Sequence, residues 1–198
     1  MSLKGSFLFS LVILYFIPPV LILASIIPFG RRFEVLAGMT ILIVAYDWLY
    51  GIDLRELGFR RDNLKASLLL NAFASLSLVL LMFVSFKVGL IRKPTVPEWR
   101  LFFAYYIFVS SPSQEFLFRS NLFALMSRGV IKTPLARIVT SAATFSFMHV
   151  IYKDLFTIAA AFAAGLIWGW IYHRHPNFWG VAFSHAVVGA AAILVGLV

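Results

Sequence analysis

Long apolar runs separated by short polar segments dominate the chain. Runs near or above the roughly 20 residues that cross a bilayer as a helix predict seven membrane spans, at about 6–29, 33–50, 64–90, 101–127, 134–152, 155–173 and 177–197. The predicted fold is therefore all-α, a polytopic transmembrane helical bundle of about seven spans. The first run is too long for the core of a signal peptide, so we expect it to remain as a span.

The composition strengthens this prediction and removes several alternatives. Hydrophobic residues make up 62% of the chain and charged residues 13%, against about 45–50% and about 25% in soluble domains. The formal net charge of +9 is compatible with nucleic-acid binding. However, the basic residues lie in short loops between apolar runs, as membrane anchors do, so we expect contact with lipid and none with nucleic acid. The absence of Cys excludes a disulfide, a thiolate metal site and a Cys nucleophile.

The chain is expected to form a single integral-membrane domain over residues 1–198. Residues 1–50 hold the first two spans, and residues 51–198 form the core. This core opens with GIDLRELGFRRDNLKAS, residues 51–67, which is polar and mixed in charge and is expected to lie along the membrane interface. The distribution of Lys and Arg slightly favours a cytoplasmic N-terminus.

Small and aromatic residues add two structural expectations. Gly165 and Gly169 form a small-xxx-small arrangement in the sixth span, which favours close helix packing. Trp and Tyr residues gather beside the loops, as in an interfacial aromatic belt; the set is Trp48, Tyr50, Trp99, Tyr152, Trp168, Trp170, Tyr172 and Trp179.

Few ionisable residues lie at depth within the spans: Asp47, Glu115, Arg119, His149 and His185. Each is costly in hydrocarbon, so such residues usually face the bundle interior and mark a site or an ion path. The last four come from three different spans, which can meet at one point inside a bundle. The alternative is structural: an acid–base pair that only holds helices together, and histidines that bond to nearby carbonyls.

The stretch SSPSQEFLFRS in the fourth span combines a capping pattern with an ion pair. Ser111 and Gln114 match the S-x-x-Q capping box with Pro112 at the first helical position, so we expect the helix to kink or restart there. Glu115 and Arg119 are four residues apart and can pair on one face. Gln114 is turned roughly 100° away from Glu115 and should contact a different neighbour.

This set of side chains suggests water-dependent amide hydrolysis. A carboxylate and an imidazole around one water form a general base with a proton shuttle, and a second imidazole can stabilise an oxyanion. The same Glu and two His could instead hold a catalytic zinc, although the HExxH spacing of zinc proteases is missing. A serine nucleophile is disfavoured, because there is no GxSxG motif.

Three short motifs give the chain a family resemblance. They read QEFLFR (114–119), FSFMH (145–149) and HAVVG (185–189), on the fourth, fifth and last predicted spans. In order, spacing and placement they resemble the EExxxR, FxxxH and HxxxN/D motifs of the CPBP family, also called Abi, of intramembrane CAAX proteases and bacteriocin-processing enzymes. ELGFRRDNLKASL (56–68) is similar to the interfacial element that precedes the core in that family.

The resemblance implies a glutamic-type intramembrane endopeptidase without a metal. In the family the first Glu and the FxxxH histidine activate water, the last motif binds the oxyanion, and the second Glu and the Arg support the site. This chain has Gln114 in place of the first Glu and Gly189 in place of the Asn or Asp. Glu115 would then act as the base with Gln114 positioning water or the oxyanion. The amide of Asn121, or backbone N–H groups near Pro112, would replace the missing donor.

We therefore predict that Glu115, His149, His185, Gln114 and Arg119 form the catalytic set. Phe145, Asn121 and Gly189 are expected to contact the substrate, a membrane-associated or lipidated peptide or protein. We expect a multi-pass protein, in a prokaryotic cell membrane, with no cofactor and zinc as the alternative. A second hypothesis is an inactive relative that binds a peptide or protein as a receptor or regulator. A third is a small transporter, which the lack of inverted repeats disfavours.

Overall fold

A computed structural model describes residues 11–89 and 101–197 of the chain. Within these two ranges the chain forms seven helical segments and no strand. We number them α1 Leu11–Leu23, α2 Arg32–Leu49, α3 Leu64–Lys87, α4 102–130, α5 Pro134–Tyr152, α6 Leu155–Arg174 and α7 Phe178–Leu194. The predicted all-α bundle of about seven helices is therefore confirmed. Trp99 and the start of the first predicted span lie outside the described residues.

Three of these helices are long and apolar enough to cross a membrane: α3, α5 and α6. The shorter helices α1 and α7 are also apolar. Most large apolar side chains of α3 are exposed, including Leu69, Phe73 and Leu76. Exposed apolar surface of this kind is stable against lipid chains and costly in water, so the chain is an integral membrane protein.

Helices α5 and α6 approach each other closely at the two glycines of α6. A Cβ added at Gly165 would lie 3.0 Å from the Ala142 Cα, and one added at Gly169 would lie 3.4 Å from the Ile138 Cγ2. At Gly165 a larger side chain would press against the α5 backbone, whereas a Cβ at Gly169 would make an ordinary van der Waals contact with Ile138. The predicted small-residue packing is confirmed.

The aromatic belt prediction was wrong for two of its members. Trp168 and Tyr172 are 2% and 1% exposed and lie in the core, whereas Trp48 and Trp179 are exposed as expected. The reason is polar: the Trp168 indole N–H donates to the Ser184 hydroxyl at 2.9 Å, and the Tyr172 hydroxyl donates to the Leu57 carbonyl at 3.1 Å. Partners inside the protein replace the interfacial water that such groups otherwise need.

Of the kink or restart expected at Pro112, the restart was wrong. Ser110 and Ser111 both have helical backbone angles, and neither caps the chain with its side chain. Segments with wider, π-helical turns, Tyr106–Ser110 and Phe116–Asn121, lie on either side of the proline. Wider turns re-pair the backbone around a residue that has no N–H, so α4 continues through Pro112 until Arg128 and Gly129 leave the helical conformation.

The polar segment before α3 folds across the ends of several helices. Arg128 at the end of α4 donates to both carboxylate oxygens of Glu56, at 2.7 and 3.0 Å, and to the carbonyls of Tyr50 and Gly51. Asn177, before α7, donates to the Arg60 carbonyl at 2.8 Å. This placement is compatible with the predicted location at the membrane interface.

Two carboxyls of this segment have lowered pKa values because of their Arg partners. The hydrogen bonds from Arg128 hold the pKa of Glu56 below its ordinary value of 4.5. The hydrogen bond from Arg60 lowers the pKa of Asp62 to about 2. In both cases the cation stabilises the ionised carboxylate.

The α5–α6 contact predicts that two helical glycines differ in how well they tolerate a larger side chain. Gly165→Leu should lower the free energy of unfolding by about 1–3 kcal/mol or more, since the side chain would meet the α5 backbone. Gly38→Leu is the control, because nothing lies within 4 Å of a Cβ at that position. Thermal melts in detergent micelles compare the two variants, and equal melting temperatures would contradict the close contact.

The Arg128–Glu56 pair predicts a pH-dependent contribution to stability. Glu56→Gln should cost about 0.5–1 kcal/mol near neutral pH, the upper part of the range for partly exposed ion pairs. Since the pKa of Glu56 is lowered on folding, the contribution is complete above the ordinary value of 4.5 and is lost as the pH falls through the lowered one. Melting curves of parent and variant should therefore converge in acid. Glu34→Gln, whose pair with Arg31 is exposed and 4.0 Å long, should show no difference at any pH.

Candidate active site

At the centre of the site, the side chains of Arg119 and His185 both bind one oxygen of the Glu115 carboxylate. Glu115 Oε1 accepts from Arg119 Nη1 at 3.0 Å and lies 2.6 Å from His185 Nδ1. A carboxylate only accepts hydrogen bonds, so Nδ1 of His185 carries the hydrogen. The Glu115 and Arg119 side chains are fully buried. The predicted pair on α4 is confirmed, and α7 joins it through His185.

Several polar atoms of this cluster have no hydrogen-bond partner within the described part of the chain. They are Glu115 Oε2, Arg119 Nε and Arg119 Nη2. The Arg119 guanidinium lies over the Phe145 ring at 4.4 Å and over the Trp168 ring at 5.3 Å, and the faces of aromatic rings attract cations. Buried polar atoms are normally paired, so the second carboxylate oxygen is the atom that can accept from a bound water or substrate.

His185 is held by aromatic rings as well as by Glu115. Its imidazole stacks on Trp168, with 4.8 Å between centroids and 16° between planes, and meets the Phe145 ring edge-on at 5.4 Å. Trp168 is itself oriented by its bond to Ser184 Oγ, which lies 2.8 Å from Ser75 Oγ. Groups from α3, α5, α6 and α7 therefore fix the orientation of one imidazole.

His149 lies in the turn that ends α5, beside the same phenyl ring. Its Nδ1 is 2.9 Å from the Phe145 carbonyl oxygen. A carbonyl can only accept, so a neutral His149 ring has its hydrogen on Nδ1 and its lone pair on Nε2. The His149 and Phe145 ring centroids are 4.7 Å apart. Both imidazoles thus flank Phe145. The Nε2 lone pair of His149 can accept a proton.

The remaining predicted residues are placed differently from one another. Gln114 is half-buried and donates to Ser110 Oγ at 3.2 Å, one turn back along α4; as expected, it contacts a neighbour different from those of Glu115. The Asn121 amide N–H donates to Asp47 Oδ1, and its oxygen accepts from the Tyr15 hydroxyl at 2.7 Å. Asn121 therefore ties α4 to α1 and α2, rather than replacing a donor next to His185.

Gly189 lies one turn beyond His185 on α7 and is packed against a residue that sequence reasoning missed. A Cβ built at Gly189 would overlap the hydroxyl of Tyr106 on α4. The Tyr106 ring also meets the His185 ring edge-on, at 6.2 Å. The only sequence signal was an aromatic residue in an apolar run, which is indistinguishable from a lipid-facing one.

The geometry gives little support to the two alternative chemistries. Among the described residues, no group of three or more His, Asp or Glu side chains is arranged to hold a metal ion. The zinc alternative thus lacks a ligand set here, and metal independence stays a prediction. Ser184 Oγ is engaged by Ser75 and Trp168, and Ser146 Oγ donates to the Ile158 carbonyl at 2.7 Å, so neither is paired with a base as a nucleophile is.

The fold and site define a polytopic membrane protein with a buried acid–base cluster. Comparison with protein families agrees: residues 96–191, just under half of the chain, match the family described as Type II CAAX prenyl endopeptidase Rce1-like. The matched range contains all three motifs, and it confirms the resemblance to CAAX proteases that these motifs indicate. The match supports an intramembrane protease of the CAAX type. No curated protein and no solved structure matches the chain.

The buried cluster predicts a charge-dependent loss of stability. Glu115→Ala should lower the free energy of unfolding by about 3–5 kcal/mol, since Arg119 would stay buried without its carboxylate. The double variant Glu115→Gln with Arg119→Met should recover most of the loss, because it removes both charges and keeps the volume. Unfolding in mixed micelles measures each variant. A single variant as stable as the parent would show that Arg119 does not depend on Glu115.

Proposed function

We propose that the protein is an intramembrane endopeptidase that hydrolyses a peptide bond of a membrane-associated or lipidated substrate. The observation that carries this proposal is the Glu115 carboxylate: one oxygen holds Arg119 and His185, and the other, also buried, has no partner in the described structure. A charged group maintained in this way inside a membrane bundle is costly. Water activation explains this arrangement better than a purely structural role does, because a pair that only held helices together would use both carboxylate oxygens.

Water is proposed to attack the substrate carbonyl directly. Glu115 Oε2 accepts a hydrogen bond from the water, and the His149 Nε2 lone pair takes the proton as the water oxygen bonds to the carbonyl carbon. The tetrahedral intermediate then collapses. The carbon–nitrogen bond breaks as His149 returns its proton to the leaving nitrogen, which gives a carboxylic acid and an amine without a covalent enzyme intermediate.

His185 is proposed to bind the oxyanion. Because its Nδ1–H donates to Glu115, a hydrogen on Nε2 requires the charged imidazolium. The Glu115, Arg119 and His185 set then has one net positive charge, which matches the single negative charge of the intermediate. Fixed donors of this kind in a dry site are among the largest contributions to catalysis. Gln114, one residue before Glu115, is proposed to position the attacking water.

The proposed substrate class is a prenylated peptide that ends in a CAAX sequence, as the description of the matched family indicates. A lipid-modified Cys would enter from the bilayer and bring the adjacent peptide bond to the buried cluster. Gln114 and Gly189 favour one second candidate, an inactive relative that binds such a peptide without cutting it. The two candidates differ in one measurable respect, which is the appearance of a new peptide terminus.

The test uses the purified full chain in liposomes with an internally quenched farnesylated CAAX peptide. His149→Ala should lower kcat/KM by about 10²–10⁴, the usual effect of a lost general base. His173→Ala, a half-buried histidine at the end of α6, should cleave at the parental rate, and a strong zinc chelator should leave the parental rate unchanged.

A second readout covers substrates other than the probe. Protein termini in membranes from cells that carry the parent are compared with those from cells that carry His149→Ala. A terminus present only with the parent supports the protease and names its substrate. If both the probe and the membranes show no difference between the folded proteins, the protease proposal is wrong and the peptide-binding candidate takes its place.

A further inference from the structure

We infer that the hydroxyl of Tyr106 replaces the side chain that Gly189 lacks and is the second hydrogen-bond donor to the oxyanion. This inference rests on the proposed function and adds a catalytic residue to it. The HAVVG segment ends in Gly189, which has no side chain and therefore supplies no polar group beside His185. His185 alone would otherwise bind the negative charge, although such sites commonly use two donors.

The position of Tyr106 follows from the geometry of α7. Residues four apart on a helix share a face, so a side chain at 189 would point to the same region as His185. A Cβ added at Gly189 would overlap the Tyr106 Oη and would lie 2.7 Å from its Cζ and 3.0 Å from its Cε1. The tip of the phenol therefore stands where a side chain from α7 would begin.

The Tyr106 ring is held in this position by its neighbours. It stacks on Phe102, with 6.1 Å between centroids and 15° between planes, and it meets His185 edge-on. That contact places the ring beside the imidazole that donates to the Glu115 carboxylate. The phenol oxygen thus lies within the electrostatic surroundings of the acid–base cluster, on the same helix as the carboxylate.

The other predicted donors are less suited to this role. Asn121 is bonded to Asp47 and Tyr15, and the Gln114 N–H is directed at Ser110. A tyrosine hydroxyl is a neutral donor that can turn about its C–O bond and is among the groups used in oxyanion holes. Tyr106 would donate a hydrogen bond to the intermediate and would keep its proton throughout.

The first variant removes the hydroxyl and keeps the ring. Tyr106→Phe should lower kcat for the farnesylated peptide by about 10²–10³, as for other lost oxyanion donors, with KM and melting temperature close to parental values. Tyr46→Phe is the matched control, because Tyr46 stacks on Tyr50 in α2 and is not part of the site. A residue that only filled space would tolerate the loss of one oxygen without a change in kcat.

The second variant moves the donor to the other helix. Tyr106→Ala creates space beside Gly189, and adding Gly189→Asn should place an amide there and raise kcat at least about 10-fold above Tyr106→Ala alone. Gly189→Asn by itself should be inactive or unstable, because its side chain would overlap Tyr106. Rescue by the double variant supports a shared chemical role that packing alone does not give.

The outcomes separate this inference from the proposed function. If the folded parent cleaves neither the probe nor any membrane protein, both are overturned. If the parent cleaves and His149→Ala does not, but Tyr106→Phe cleaves at the parental rate, only the role of Tyr106 is overturned. A lower Tyr106→Phe rate that follows a lower melting temperature or a raised KM also overturns it.

Discussion

One buried carboxylate oxygen shared by two donors is the interaction on which the rest of the structure depends. Glu115 Oε1 holds Arg119 on its own helix and His185 on α7. Away from water, charges attract more strongly and also cost more to leave unpaired. The partners must therefore be brought together whenever the bundle folds. The shared oxygen fixes the register of α4 against α7 more tightly than apolar packing between two smooth helices would.

The residues around the cluster take over the functions that water has in a soluble protein. Phe145 and Trp168 present their ring faces to Arg119, and a chain of hydrogen bonds through Ser75 and Ser184 orients Trp168. A separate network of Tyr15, Asp47 and Asn121 joins α1 and α2 to α4. Helix α4 is thus polar towards two sets of neighbours, one that forms the site and one that anchors the N-terminal helices.

The parts of the structure that depend on local sequence could be predicted. Span length follows from the thickness of the bilayer, and the pairing of Glu115 with Arg119 follows from helix geometry. The failures concern contacts between residues far apart in the chain. Trp168 and Tyr172 are buried because distant groups satisfy their polar atoms, and Asn121 is occupied by α1 and α2. The capping pattern at Ser111 was misleading because a capping box stabilises the start of a helix, whereas this stretch lies in the middle of one.

The overlap between Tyr106 and a Cβ at Gly189 constrains how these two positions can evolve. Two bulky side chains cannot occupy that space at once, so neither position can change freely while the other stays as it is. Among proteins of common ancestry, an Asn or Asp at 189 should occur with a small residue at 106, and a Tyr at 106 with Gly at 189. Gly189 in this chain would then mark the transfer of one polar group from α7 to Tyr106 on α4.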